Sequence, residues 1–430
     1  MTLFHLRPDV GTRRAAVPSD FRRLWAADTV SQVGTAVTLP ALPLLAIGAL
    51  GAGPFQTGLL LACEYLAFLV FGLPAGAWVD RSRLRRVMIA GDLGRAALLA
   101  SVPVAALLGV LTLPQLYVVA FGLSCCTVFF DVAAQSALPR LVDGGQLVAA
   151  NVRLETTRNI VQAGGPGAGG LLLAVLAAPF VLALDALSYL TSAVLLSRIR
   201  GAGGGPGTVP GPAPAGVDRA PAAAGLRAEV VAGLRFVFGD RLLRAVTLAA
   251  AVSNLCGTVG AAVLMVLLAG ELGLSPLWCG LVFTAEAIGG LLGSLLTARV
   301  AARLGEGPAM CGAVLLSGLL WLTAVPFFQA DWRLAVAVAL QGLGWAAFMP
   351  FKITAVVLRQ RSCPPELLGR VTATVRFVVW GVMPVGALIG GLLGRHYGTR
   401  PTLWAGAAAE LCAVLPLLLS PLRRTRHLGG

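Results

Sequence analysis

Chemistry in this chain must come from a few charged residues set into long apolar runs. If those runs are helices, Glu64, Glu286 and Glu410 each lie about 15 Å from the outer helix end, near the middle of an apolar layer. Asp28 and Asp185 lie about 10 Å in, and Asp131 sits close to an arginine-rich end. A carboxylate at such depth is costly unless it holds a proton, a cation or an arginine, so each is a functional candidate. Arg95, Arg158 and Arg376 are the counter-charges at comparable depth, and Lys352 lies near a helix end where it can snorkel. Gln32, Asn254 and Gln341 could bind a solute or tie helices together, and both readings stand. Glu410 is expected to be a structural partner; Asp185 and Asp131 are expected to anchor neighbouring helices.

Other chemistries lack their residues. The eight cysteines are scattered through apolar runs without ligand spacing, and His5, His396 and His427 lie outside those runs. No metal site and no cofactor is expected. No G-x-x-x-x-G-K-[ST] run is present to cradle a nucleotide.

The elements that must position these groups follow from composition. Of 430 residues, 57% are hydrophobic and 12% charged, and mean hydropathy is +0.84. Soluble domains carry about 25% charged residues, so a soluble enzyme, a nucleic-acid binder and a disulfide scaffold are excluded. Charge-free stretches and their Gly/Pro turns predict twelve membrane-spanning helices, near residues 22–48, 55–79, 87–109, 114–138, 152–177, 179–200, 241–269, 276–302, 308–329, 333–358, 366–394 and 400–422. Arginines alternate between loops: Arg22, Arg81, Arg140, Arg198, Arg303, Arg359 and Arg423 fall on one side, and only Arg333, Arg395 and Arg400 on the other. The positive-inside rule then places both termini in the cytoplasm and makes the net charge of +14 a topogenic signal. Residues 1–19 have no apolar h-region, so no cleaved signal peptide is expected. Lys352 is the lone lysine among 33 basic residues, which points to a GC-rich bacterial source.

The expected organisation is a cytoplasmic tail (1–20), a six-helix bundle (21–200), a cytoplasmic Gly/Pro/Ala linker with an amphipathic helix on the membrane face (201–240), a second six-helix bundle (241–422) and a basic tail (423–430). The bundles are repeats. At one offset Ser31-Gln32 falls opposite Ser253-Asn254, Gly58 opposite Gly280, Glu64 opposite Glu286 and Arg81 opposite Arg303. At a slightly shorter one Arg158 falls opposite Arg376 and Pro166 opposite Pro384. Parallel repeats of this kind build a central cavity in many transporters.

The loop Gly76-Ala-Trp-Val-Asp80-Arg81-Ser-Arg83-Leu-Arg85-Arg86 resembles the loop signature of the major facilitator superfamily, with Arg83 in place of a glycine and Leu84 in place of a basic residue. The resemblance implies a twelve-helix, all-α membrane fold of two pseudo-symmetric bundles. It also implies a cytoplasmic latch in which Asp80, with Gly76 and Arg81, caps the eleventh helix near Gly369-Arg370. The repeat's second copy has Ala302 opposite Asp80, so one latch is expected. Gly165, Pro166, Gly169 and Gly170 resemble the superfamily's antiporter glycine–proline motif; close packing is the alternative reading. Leu138-Pro139-Arg140-Leu141, Asp185 to Tyr189 and Gly369-Arg370-Val371 are similar to the branch of macrolide-efflux and siderophore-exporter proteins.

The implied function is export of an amphipathic organic compound from a bacterial cell by proton antiport, without enzymatic activity. The alternatives are uptake of a small polar nutrient and a transport-inactive membrane sensor. The expected partners are a small-molecule substrate, protons and the lipid bilayer, with no nucleic acid, and the chain is expected to be monomeric. In that architecture Glu64 can meet Arg376, and Glu286 can meet Arg158, across the halves. Asp28 could line the cavity.

Overall fold

The computed structural model describes residues 18–72, 74–142, 146–199 and 226–425; the side chains of residues 77, 80, 148, 226–230, 365 and 366 are outside that description. Most of the N-terminal tail, the linker up to residue 225, the Asp80 carboxylate and the end of the basic tail therefore lie outside the described residues. Within them every regular element is helical.

The N-terminal half contains α1 (Ser19–Thr38), α2 (Ala41–Leu50), α3 (Pro54–Phe71), α4 (Pro74–Asp80), α5 (Leu84–Leu107), α6 (Leu113–Leu141), α7 (Leu147–Val175) and α8 (Ala178–Ser197). After α9 (Leu226–Gly239) come α10 (Arg241–Met265), α11 (Pro276–Leu304), α12 (Glu306–Ala324), α13 (Arg333–Ser362), α14 (Pro365–Gly381), α15 (Met383–Tyr397), α16 (Thr399–Glu410) and α17 (Leu415–Leu418). Four expected spans are broken: α1/α2 at Pro40, α3/α4 before Pro74, α14/α15 at Val382, two residues before Pro384, and α16/α17 at Leu411–Val414, just before Pro416. Proline lacks the amide that a continuous helix needs. Joined across such breaks, eleven helices are long and apolar enough to span a membrane. The twelfth is α7, whose glycines and polar residues lower its hydropathy although it is 29 residues long.

Large apolar side chains such as Leu107, Leu187 and Leu295 point outward and exposed, as a hydrocarbon solvent requires. Within each half, α5 packs on α6 and α8, and α13 on α11 and α12. Between the halves, α7 packs on α11 and α3 on α15. Both crossings are bare backbone. A Cβ on Gly58 would sit 2.7 Å from the Gly391 Cα, and one on Gly280 would sit 3.0 Å from the Gly170 Cα.

These crossings lie toward the arginine-poor end, where α2 also meets the turn at Val266–Glu271. Contact continues inward to Phe68 and Trp380, whose rings are 4.9 Å apart. Beyond that pair α4 turns to α6, while α14 turns to α9 and α10, each within its own side. Among the described residues the close backbone crossings between the halves thus lie toward the arginine-poor end. The helix expected after the linker forms as α9: Val237 is fully buried with Cys363 and Val371 against α14, while Val231 is exposed.

Candidate functional site

A cavity of about 380 Å³ lies between the halves. The N-terminal half supplies Thr57, Glu64 and Tyr65 from α3; the C-terminal half supplies α10 with Glu286, Trp321, Trp345 and Glu410. Toward the arginine-poor end the Thr57 hydroxyl lies 3.0 Å from the Ala262 carbonyl, a hydrogen bond that crosses the halves. The charged groups lining the cavity are Glu64, Glu286 and Glu410, and no arginine, lysine or histidine among the described residues lines it. Its size suits a drug-sized molecule, and its wall is mostly apolar and aromatic.

Local packing orients the polar groups. Gln341 Nε2 donates to Glu286 Oε1 at 2.9 Å. The Gln341 carbonyl in turn accepts from Trp321 Nε1 at 3.4 Å, which ties α13 to α12. Asn254 Nδ2 donates to the Val379 carbonyl at 2.9 Å, so this residue both lines the cavity and joins α10 to α14. Tyr65 lies within electrostatic reach of both Glu64 and Glu286, which places the two acids around one phenol.

The arginines are elsewhere. Arg158 acts on Asp28 and Asp131, and Arg376, from the other half, also acts on Asp131. Gln32 neighbours Asp28 in this second cluster. Arg158 reaches Glu155 at 3.6 Å, and the Arg376 guanidinium lies 5.7 Å from the Trp380 ring centroid. The expected Glu64–Arg376 and Glu286–Arg158 pairs are therefore not formed in this conformation. Depth along a helix brings them level, but the acids face the cavity while the arginines neighbour Asp28 and Asp131. Arg95 is no free counter-charge either. It pairs with Asp92 three residues away and lies between the rings of Phe130 (4.4 Å) and Tyr189 (4.3 Å). Asp92 escaped the reading by depth, although its i,i+3 spacing from Arg95 in an apolar run was the available signal.

Asp185 accepts from Ser188 at 2.8 Å and abuts Gly34 of α1, as an anchor does. In the glycine–proline motif, Gly165 and Gly169 meet Ala36 and Val37 of α1, Gly170 meets Gly280, and the Pro166 carbonyl meets Gly280 as well. The motif is a close-packed seam joining α7 to both α1 and α11. Of the latch residues, Arg81 is exposed, Gly369 and Gly76 face open space, and Arg370 is exposed on α14.

Two six-helix halves with a cavity at their join are the architecture of a membrane transporter, and comparison with known proteins agrees. The family of transmembrane secretion effectors, within the major facilitator superfamily, matches residues 16–428. The chain belongs to this family. It is 29% identical over 402 residues to the multidrug efflux pump Tap of Mycolicibacterium fortuitum, covering 92% of each chain. It is 27% identical over 422 residues, 94% of each chain, to the pump of the same name from Mycobacterium tuberculosis. Among solved structures, a point mutant of the nucleoside transporter NupG superposes with a TM-score of 0.73 at 13% identity, covering 93% of this chain and 99% of that one. A bacterial homologue of the iron transporter ferroportin, in an inward-facing state, gives 0.71 at 17% identity, covering 93% and 98%. At these identities the two structures establish the fold alone. As a transmembrane secretion effector, the chain is a multi-pass membrane transporter of bacterial type, related to drug-efflux pumps.

Proposed function

We propose that this protein exports amphipathic organic compounds across a bacterial cell membrane in exchange for protons, as a monomer with both termini in the cytoplasm. One observation carries the reading. Glu64 and Glu286, at equivalent positions of the two repeats, face one apolar, aromatic cavity with no cationic side chain among the described residues that line it. With the arginine-rich end cytoplasmic, the conformation described here faces inward. The acids give up protons to the cytoplasm as the substrate enters. In the outward-facing conformer the cytoplasmic end closes, Asp80 caps the eleventh span near Gly369-Arg370, and Glu64 meets Arg376 while Glu286 meets Arg158. Protons arriving from outside release those arginines and return the protein to the inward state. Each ligand shifts the two states only by its difference in affinity for them. Asp28 and Asp131 hold the arginines in the meantime. The similarity to multidrug efflux pumps supports the direction of transport, and the lack of a nucleotide-binding loop supports an ion gradient as the energy source.

The test is transport in everted membrane vesicles with a panel of dyes and antibiotics, with and without an uncoupler. Uphill accumulation that collapses with the uncoupler is the expected result. Accumulation that persists without a proton gradient removes proton antiport, and movement of none of the panel removes drug export.

A further inference from the structure

The halves treat equivalent positions differently. The helices α5 and α12 begin at Leu84 and Glu306, and α8 and α16 at Ala178 and Thr399. Counted from those starts, Arg95 falls opposite Ser317, Asp92 opposite Val314, and Tyr189 opposite Glu410. The correspondence is also spatial. Arg95 of α5 touches Tyr189 of α8, and a Cβ on Gly318, beside Ser317, would lie 3.6 Å from Glu410 Cγ. In the N-terminal half a buried base is answered by an acid on its own helix. In the C-terminal half the base is replaced by serine, and an acid arrives from α16 with no base to meet it.

Glu410 is only 1% exposed. Its Oε1 accepts from the Ser253 hydroxyl, while the buried Oε2 has no partner in the protein. Both residues line the cavity. A buried carboxylate oxygen left without a donor is a standing cost that a charged N–H group removes. A bare metal cation would want several oxygen ligands, and among the described residues no group of three His, Cys, Asp or Glu side chains could hold one. The rest of the cavity suits an organic body. Trp321 and Trp345 meet edge to face at 5.8 Å, and Trp345 and Phe348 at 6.1 Å, so their rings line the same space.

We propose that Glu410 and Ser253 form the subsite for the ammonium group of an amphipathic organic amine, whose apolar body lies against Trp321, Trp345 and Phe348. This rests on the export reading for its biological sense, but binding tests it independently. The amine takes over the position that the Arg95 guanidinium holds in the other half. Glu64 and Glu286, facing each other across the halves, stay free to carry protons.

The experiment uses the full-length protein in lipid nanodiscs with dansylcadaverine, a primary alkylamine carrying an aromatic fluorophore, and its neutral N-acetyl derivative, with binding followed by dansyl fluorescence. The wild type is expected to prefer the amine. Glu410→Gln is expected to weaken amine binding by about tenfold to a hundredfold and leave the neutral derivative unchanged. Glu410→Asp is expected to retain part of the preference, and Ser317→Arg, which rebuilds the N-terminal arrangement, to abolish it. If Glu410→Gln binds the amine within twofold of wild type, or if Glu286→Gln alone removes the preference, the subsite is overturned. It is also overturned if wild type binds both probes equally or neither. Export is judged separately in everted vesicles. Uphill dye transport by a protein whose Glu410→Gln variant still prefers the amine leaves export standing and removes the subsite; the converse pattern removes export alone.

Discussion

In the N-terminal half, Arg95 is clasped by Phe130 and Tyr189 and neutralised by Asp92, all within α5, α6 and α8. At the matching place in the C-terminal half, the buried Ser317 carries no charge and Glu410 lines a cavity of about 380 Å³ without a base beside it. Both places keep unpartnered buried atoms, Asp92 Oδ2 and Arg95 Nε in one and Glu410 Oε2 in the other, so the difference is one of charge: the N-terminal acid has its base, and the C-terminal acid has none. One duplicated unit has thus diverged into a charge-paired body and an unpaired one, with Glu64 and Glu286 at the boundary between them.

The largest effect expected on that contrast comes from the boundary acids. Glu64→Gln combined with Glu286→Gln is expected to reduce uphill efflux at least a hundredfold and flatten its pH dependence, while downhill substrate exchange continues. Paired measurements in vesicles with and without an imposed pH gradient check this, and intact uphill transport in the double variant ends the coupling role of both acids. Next in size is the N-terminal pair. Asp92→Asn strands Arg95 without its counter-charge and is expected to cost about 3–5 kcal/mol of stability. It should appear as a lower melting midpoint in detergent, largely recovered by adding Arg95→Met; a change in coupling ratio with no loss of stability would contradict the assignment.

The seam between the halves should respond less strongly. Gly391→Ala pushes a methyl group against Pro54 and Gly58 and is expected to cost about 1–3 kcal/mol through backbone displacement. The matching change Gly280→Ala, against Pro166 and Gly170, should behave alike if the crossings are equivalent. Thermal unfolding of both, with cysteine accessibility from each side, tests the pair together. The smallest effect belongs to Asp80→Asn, expected to shift the two-state balance toward the inward-facing form by less than about tenfold, which is about 1.4 kcal/mol. Unchanged cysteine accessibility on both faces counts against the latch.

The spans were legible because a hydrocarbon layer imposes one length and one polarity, which any charge-free run must meet. The repeat was legible because Glu64 and Glu286, or Gly58 and Gly280, keep their order and spacing. The breaks at Pro40 and Val382 were less so, since a proline in a membrane helix can be accommodated without a break. The site was only half legible. Position along a helix gives the depth of Glu64 and Arg376 but not the direction each faces, and direction changes as the halves move. The resemblance puts the helix of Glu410 at the periphery and gives the residue a structural role; its carboxylate does join α10 through Ser253, and it also reaches the cavity, which no local pattern announces. The resting place of Arg158 and Arg376, beside Asp28 and Asp131, depends on helices from both halves, and no local pattern encodes that.

The two glycine crossings have a mechanical consequence. Each is a backbone-on-backbone contact that brings one of the repeat-equivalent glycines Gly58 and Gly280 against a glycine of the other half, and together they join the halves like the two pins of one axle. Smooth surfaces of this kind roll without interlocking side chains to unlatch, so the halves can tilt about the line joining them with little friction. A bulky residue on one pin alone would make the tilt lopsided before it made the protein unstable. The duplication therefore supplied its own balanced bearing, and a change at either crossing is tolerated best when the other changes with it.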